Sequence, residues 1–250
     1  MIKDSGELLG DPWLETLGIR VYVIHVAGNV EREKYITAEL AKHRIRGEFI
    51  LEGNKETITA AQLDRYFAGE MKASDAKTSC ALKHFLAYER LLKSSAGAAL
   101  ILEDDIKLYP NFDSQFAQSL TELKDRHIDG CLASYEDFRL DLVPKSDQKN
   151  GVLLYPQKRG RCTGAYLVDR KAAQNLLETA ITDKCGLPID WFHNRCAELG
   201  RIGIYWCHPA IAVQRSINGT MASLISDSKP TLKRRMRHAY RKLRKALGFY

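Results

Sequence analysis

Ala98-Ala99-Leu100-Ile101-Leu102 runs without a break into Glu103-Asp104-Asp105. Such an apolar run has the length and composition of a strand buried on both faces. The three carboxylates that follow repel one another and raise each other's pKa. That arrangement is tolerable at the carboxyl edge of an open α/β sheet, where ligands bind and a cation can offset the charge. A solvated acidic turn is the plain alternative.

The flanking sequence supplies the elements such a sheet needs. Residues 19–26 are β-rich, Gly28-Asn29 makes a turn, and residues 31–43 carry Tyr35, Ile36, Leu40 and Ala41 at helical spacing. Residues 45–51 predict a second strand, 62–67 part of a short helix, and 78–93 a longer helix with a broad apolar face. After the acidic cluster, helices are expected over 112–126, 169–180 and 188–199, the last opened by Pro188. Strands are expected at 129–135, 151–155, 202–206 and 211–213, and the polar stretch 137–149 reads as a mobile loop beside the site. This alternation predicts an α/β layered domain with a mainly parallel central sheet.

A chain of 250 residues suits one sizeable domain, or a domain with an appendage. No window approaches the roughly 18 apolar residues of a membrane span, so a cytoplasmic location is expected. The six cysteines show no CxxC pair or zinc-ligand spacing and are expected to be free thiols. The net charge of +7 is concentrated: nine of the 38 Lys and Arg fall within 229–250, which has no Asp or Glu, and the remainder is slightly acidic. The basic excess therefore points to a local anionic partner.

Four segments occur in a telling order: Ser79-Cys80-Ala81-Leu82-Lys83-His84, Ala99-Leu100-Ile101-Leu102-Glu103-Asp104-Asp105, Gly164-Ala165-Tyr166-Leu167-Val168 and Pro188-Ile189-Asp190. Together they resemble glycosyltransferase family 25, which includes bacterial lipopolysaccharide and lipooligosaccharide galactosyltransferases. The resemblance runs from about Arg20 to Gln214. It implies a GT-A type, Rossmann-like nucleotide-sugar-binding domain, a UDP-sugar donor, a divalent metal and transfer with inversion at the anomeric carbon. Hard oxygen ligands favour Mn²⁺ or Mg²⁺. Such an ion offsets charge on a leaving diphosphate.

The resemblance assigns provisional roles. Glu103 and Asp105 are the candidate metal ligands, since alternate side chains share a face in an extended segment, with His208 as a further ligand. Donor-binding candidates are Arg32, Lys83, His84, Asp104, Gly164 and Tyr166; Lys83 stands where the family has serine. Asp190 is the candidate base for the acceptor hydroxyl, with Asp137 and Glu136 in reserve. Asp190 serves equally as a helix cap, and the helix dipole is expected to lower its pKa. Trp191 is a sugar platform or a core residue.

Domain boundaries are expected at 1–227 for the catalytic unit and 228–250 for a basic amphipathic helix. Leu232, Met236, Tyr240, Leu243 and Leu247 line one stripe of that helix, and basic residues cover the other faces. This is the pattern of a helix lying on an anionic membrane surface through 229–247. The apolar stripe would be idle on DNA, so no nucleic acid is expected. The functional expectation is a peripheral enzyme on the inner face of the cytoplasmic membrane, moving a hexose such as galactose onto a lipid-linked oligosaccharide. The competing readings are a metal-dependent nucleotidyltransferase and a non-catalytic membrane or nucleic-acid binding protein.

Overall fold

The computed structural model of the chain describes residues 13–137, 143–218, 220–221 and the isolated positions 236, 239, 240 and 243. Its strands are β1 (Ile19–Ile24), β2 (Glu48–Ile50), β3 (Ala98–Glu103), β4 (Ile106–Leu108), β5 (Cys131–Ser134), β6 (Leu154–Gln157), β7 (Ala165–Asp169), β8 (Gly203–Cys207) and β9 (Ala212–Gln214). The helices are α1 (Trp13–Thr16), α2 (Val30–Lys42), α3 (Ala60–Tyr66), α4 (Ala76–Lys93), α5 (Phe112–Asp125), α6 (Arg170–Thr179), α7 (Ile189–Glu198) and α8 (Arg215–Asn218).

Seven strands form one sheet in the order β2-β1-β3-β7-β5-β8-β6, and β4 pairs with β9 in a small second sheet. β2, β1 and β3 are mutually parallel, as are β5 and β8, while β7 and β6 run antiparallel to their neighbours. Five strands thus point one way, and the α/β class with a mainly parallel sheet is the one observed.

Alternation along each strand feeds two separate cores. Tyr22, Ile24, Ala99, Ile101, Tyr166 and Val168 pack towards α4, α6 and α7. Val21, Val23, Leu100, Leu102, Ala165 and Leu167 pack towards α2 and α5. Both faces are covered, which is why β3 reads as an unbroken apolar run. The same alternation sends Glu103 to the α4 side.

Three expectations need correction. β7 escaped separate notice as a strand because Ala165–Asp169 is apolar on both faces and lacks period-two contrast. β6 begins at Leu154 rather than 151 and contains Pro156, tolerated because it is the sheet's edge strand. Asp104 and Asp105 form a turn between β3 and β4, so the acidic triplet is not extended and the shared-face argument for Glu103 and Asp105 fails. Of the expected loop at 137–149, residues 138–142 lie outside the described residues, whereas Asp137 and Val143 are buried. Most of the expected helix at 228–250 is likewise outside; Met236, Tyr240 and Leu243 are helical and exposed.

Candidate functional site

A cavity of about 470 Å³ opens at the carboxyl ends of β1 and β3. Its walls come from the start of α2, the first half of α4, the start of α7 and the corner between β9 and α8. Arg32, Lys83, Glu103, Asp104, Asp105 and Asp190 all line it. Gly164, Tyr166, His84, Glu136, Asp137 and His208 do not.

Local structure explains how the charged groups arrive there. Asn29 caps α2 by accepting the Arg32 N–H at 3.2 Å, which places Arg32 in the first turn, facing the end of β3. The Arg32 guanidinium donates to Asp104 Oδ1 and lies 3.9 Å from Asp105 Oδ2. His25, one residue past β1, sits 2.8 Å from Asp104 Oδ2. Asp104 is therefore occupied by an arginine and a histidine, and it ties β1 and α2 to the acidic turn. A metal would have to compete with both.

Glu103 and Asp105 are differently placed. Thr163 donates to Glu103 Oε1 at 2.7 Å, and the Gln214 amide donates to Oε2 at 2.7 Å. Gln214 gets there because β9 pairs with β4 in a register that sets it opposite Ile106. Asp105 Oδ2 accepts the Ser216 N–H at 3.1 Å, while its buried Oδ1 has no hydrogen-bond partner. Burial, then repulsion from Asp105, pushes the Glu103 carboxyl up to about 8. Burial also raises Asp105. Behind them, fully buried Glu136 accepts the Gly164 N–H at 2.7 Å through Oε1 and is raised well above the usual carboxylate range by burial and by Glu103.

A buried carboxylate oxygen without a partner, beside two carboxyls held above their ordinary pKa, is the mark of a cluster short of positive charge. Glu103 and Asp105 fit a hard divalent ion of the Mg²⁺ or Mn²⁺ kind, which typically takes one or two carboxylates and leaves positions for phosphate and water oxygens. His208 lies after β8 with its ring 6.3 Å from that of Tyr155 and is not part of this set.

The α4 wall is built on capping and buried polar contacts. Asp75 caps the helix with bonds of 2.9 Å to the N–H groups of Lys77 and Thr78. Lys83 donates to the carbonyls of Ile50, Leu51 and Glu52 at 3.2, 3.1 and 2.8 Å, and burial lowers its pKa to about 8. Its ammonium thus anchors the end of β2. One residue on, His84 is fully buried, with Nδ1 2.7 Å from the Tyr166 hydroxyl. Tyr166 continues to Tyr88 at 2.5 Å, and Tyr88 to His193 Nε2 at 2.8 Å. Tyr166 therefore belongs to a buried polar chain rather than offering a sugar-stacking face.

Gly164 has a packing role that spacing could not reveal. A Cβ there would lie 2.3 Å from Gln214 Cγ and 2.8 Å from Glu136 Oε2. The missing side chain lets Gln214 cross to Glu103, and the Gly164 carbonyl accepts the Glu103 N–H at 2.9 Å.

Among the three base candidates only Asp190 lines the cavity. It sits in the first turn of α7 and accepts the Trp191 N–H, yet burial outweighs this and raises its pKa. The expected lowering by the helix dipole is reversed because desolvation dominates. Trp191 is 63% exposed, which removes the core alternative for it. Sequence reasoning passed over Thr163 and Gln214, whose contacts with Glu103 span 60 and 111 residues. No local pattern announces partners at that separation.

Residues 19–193 match the family described as glycosyltransferase family 25 (LPS biosynthesis protein). A Haemophilus influenzae protein carrying a provisional glycosyltransferase name is 31% identical over 182 residues, 68% of this chain and 60% of that protein. The chain belongs to glycosyltransferase family 25. The match spans less than two thirds of the Haemophilus protein's length. Among solved structures, a glycosyltransferase involved in glycosylation of the major capsid of PBCV-1 overlaps 90% of this chain and 98% of its own at 12% identity and TM-score 0.44. A197 from STIV overlaps 75% and 80% at 10% identity and TM-score 0.43. Among the described residues, no helix is long and apolar enough to cross a membrane.

Proposed function

We propose that this chain is an inverting glycosyltransferase that moves a hexose, galactose from UDP-galactose in the reading we favour, onto a lipopolysaccharide or lipooligosaccharide core acceptor. The observation that carries the reading is the meeting of Arg32, Glu103, Asp105 and Asp190 in one cavity at the carboxyl ends of parallel strands. Family membership narrows the chemistry to glycosyl transfer.

In this mechanism Glu103 and Asp105 would hold a divalent cation, Mn²⁺ or Mg²⁺, which would supply charge neutralisation for the diphosphate leaving group. Arg32, locked in place by Asp104, adds a fixed positive charge at the same end of the cavity. The exposed ammonium groups of Lys55 and Lys77 at the cavity mouth steer an anionic donor inward. Asp190 takes the proton of the acceptor hydroxyl as that oxygen bonds to the anomeric carbon and the bond to the diphosphate breaks. Its raised pKa brings it closer to neutrality and makes it a better base. Lys83, His84, Gly164 and Tyr166 act one step back, holding the loop after β2, the α4 wall and Glu103.

The acceptor's lipid would be met through 229–247, lying on an anionic membrane surface at the inner face. Met236, Tyr240 and Leu243 are exposed helical residues at steps of four and three, as a membrane-facing stripe requires. Each basic residue near such a surface contributes about 1 kcal/mol at low salt.

The test is turnover of a panel of UDP-sugars with and without Mn²⁺, on the full chain and on Asp105→Ala. The expected result is metal-dependent use of one donor, reduced about 10²- to 10³-fold in the variant, the scale of losing one transition-state electrostatic group. Transfer of the nucleotidyl group instead would establish the nucleotidyltransferase reading. Failure to bind any donor, with all vesicle affinity residing in 229–247, would leave a membrane-binding protein.

A further inference from the structure

Cys80 and His84 lie one turn apart on α4, and Glu103 reaches the same spot from the end of β3. One ligand atom from each falls within 4.8 Å of the others. His84 is fully buried, and its Nε2 has no hydrogen-bond partner. That nitrogen stands 3.9 Å from Glu103 Oε1, too far for a hydrogen bond, while Cys80 and Glu103 both line the cavity. The arrangement leaves a buried imidazole nitrogen without a hydrogen-bond partner, close to both a thiol and a carboxylate.

We infer that Cys80, His84 and Glu103 form a site for a borderline divalent cation of the zinc class. A thiol, an imidazole and a carboxylate are a mixed sulfur, nitrogen and oxygen set, which suits zinc rather than magnesium or manganese. Tetrahedral zinc holds its ligands about 2.0–2.3 Å away, so their atoms end up about 3.3–3.8 Å apart, and the observed spread closes by about an ångström of side-chain movement. Three protein ligands leave a fourth position facing the cavity, open to water or substrate oxygen. On binding, the Cys80 thiol gives its proton to solvent and the sulfur–metal bond forms in its place.

The surroundings of His84 are those of a metal-bound histidine. A ligating imidazole usually donates its other ring N–H to an outer partner that fixes tautomer and orientation. His84 Nδ1 faces the Tyr166 hydroxyl at 2.7 Å, and the chain can pass that donation on from Tyr166 to Tyr88 and from Tyr88 to His193 Nε2. With the hydrogens running this way, the lone pair of Nε2 points into the site. On the Glu103 side, Thr163 and Gln214 orient the carboxylate. This ligand set shares Glu103 with the Glu103–Asp105 pair but takes its other ligands, a thiol and an imidazole, from α4 and needs no diphosphate to complete it.

The probe is Co²⁺ alone, added to the full chain without donor, so that the outcome is independent of glycosyl transfer. One equivalent is expected to give a thiolate-to-cobalt charge-transfer band and the visible bands of a four-coordinate ion, both bleached by Zn²⁺. Cys162 also lines the cavity and is the necessary control. The bands should persist in Cys162→Ser and vanish in Cys80→Ser, with Zn²⁺ raising the thermal midpoint of the first and not of the second. If Cys80→Ser does not fold, His84→Gln takes its place and should likewise lose the four-coordinate spectrum. Absence of a thiolate band in the wild-type chain, its loss in Cys162→Ser, or its survival in a folded Cys80→Ser or His84→Gln would overturn the inference.

Discussion

The two faces of the central sheet are built on different principles. Towards α2 and α5 the core is apolar and aromatic: Phe112 and Phe116 stack at 5.2 Å, and Phe116 lies 4.9 Å from Tyr135. Its buried hydroxyl groups are settled locally, with Ser119 and Tyr135 paired at 2.9 Å. Towards α4, α6 and α7 the core carries a chain of two histidines and two tyrosines that ends beside Glu103. One face stabilises the sheet, while the other also spends buried polar groups on aiming side chains at a cavity. A fold can thus keep a largely apolar core on one side, where only the first turn of α2 reaches the cavity through Arg32, and hold the buried polar chain beside Glu103 on the other.

The strongest way to break this comparison is to damage the apolar face. Phe116→Ala removes a fully buried ring and is expected to cost about 3–5 kcal/mol of unfolding free energy. Because no residue of α5 lines the cavity, turnover per folded molecule should stay within about twofold of wild type. Denaturant titration with donor turnover on the same samples checks both. A loss of turnover beyond the unfolded fraction would mean that the two faces are not separable.

Gly164→Ala makes the complementary change on the polar side. The added methyl group meets the Gln214 side chain and Glu136 Oε2, so Gln214 must leave Glu103 or β7 must shift. Overpacking of this kind costs about 1–3 kcal/mol. Unlike Phe116→Ala, it should lower turnover well beyond the unfolded fraction, because Glu103 loses the donor on Oε2. Equal stability and full turnover would show that Gln214 is dispensable to the site.

The same contrast explains what could be read from the chain. β3 and its acidic end were visible because burial on both faces writes an uninterrupted apolar run, and α4 because its apolar face is broad. Arg32 and Asp190 were visible through the resemblance, each falling in the first turn of an expected helix. What stayed hidden depends on pairing between distant segments: β9 laid beside β4 delivers Gln214 to Glu103, and the corner into α8 delivers the Ser216 N–H to Asp105. The turn at Asp104–Asp105 was hidden too, since three carboxylates carry no period to separate strand from turn. His84 and Tyr166 were legible as motif members but not as partners, because their meeting requires β7 to sit against β3 beneath α4.

Acid gives the finest test of the difference between the faces. Burial lowers His193 to about 3 and holds His84 well below its ordinary value, so both stay neutral in the fold at pH values where the unfolded chain is protonated. Between pH 6.5 and about 3 the unfolded state therefore binds more protons, and the stability present above about 6.5 is lost as pH falls, with a slope approaching about 1.4 kcal/mol per pH unit for each such histidine. Both histidines belong to the polar face, so their acid loss is concentrated there, opposed by the raised carboxyls of Glu103 and Glu136, which take up protons more readily in the fold than in the unfolded chain. His193→Gln keeps a hydrogen-bonding group near Tyr88 but cannot titrate. Relative to wild type, its stability curve should be shallower below pH 6.5, with a difference of about 1 kcal/mol accumulated near pH 5.5. Urea midpoints at pH 7.0, 6.0 and 5.5 would show it. Parallel curves for the two proteins would mean that His193 is protonated without cost and that the polar chain is wetter than its burial implies.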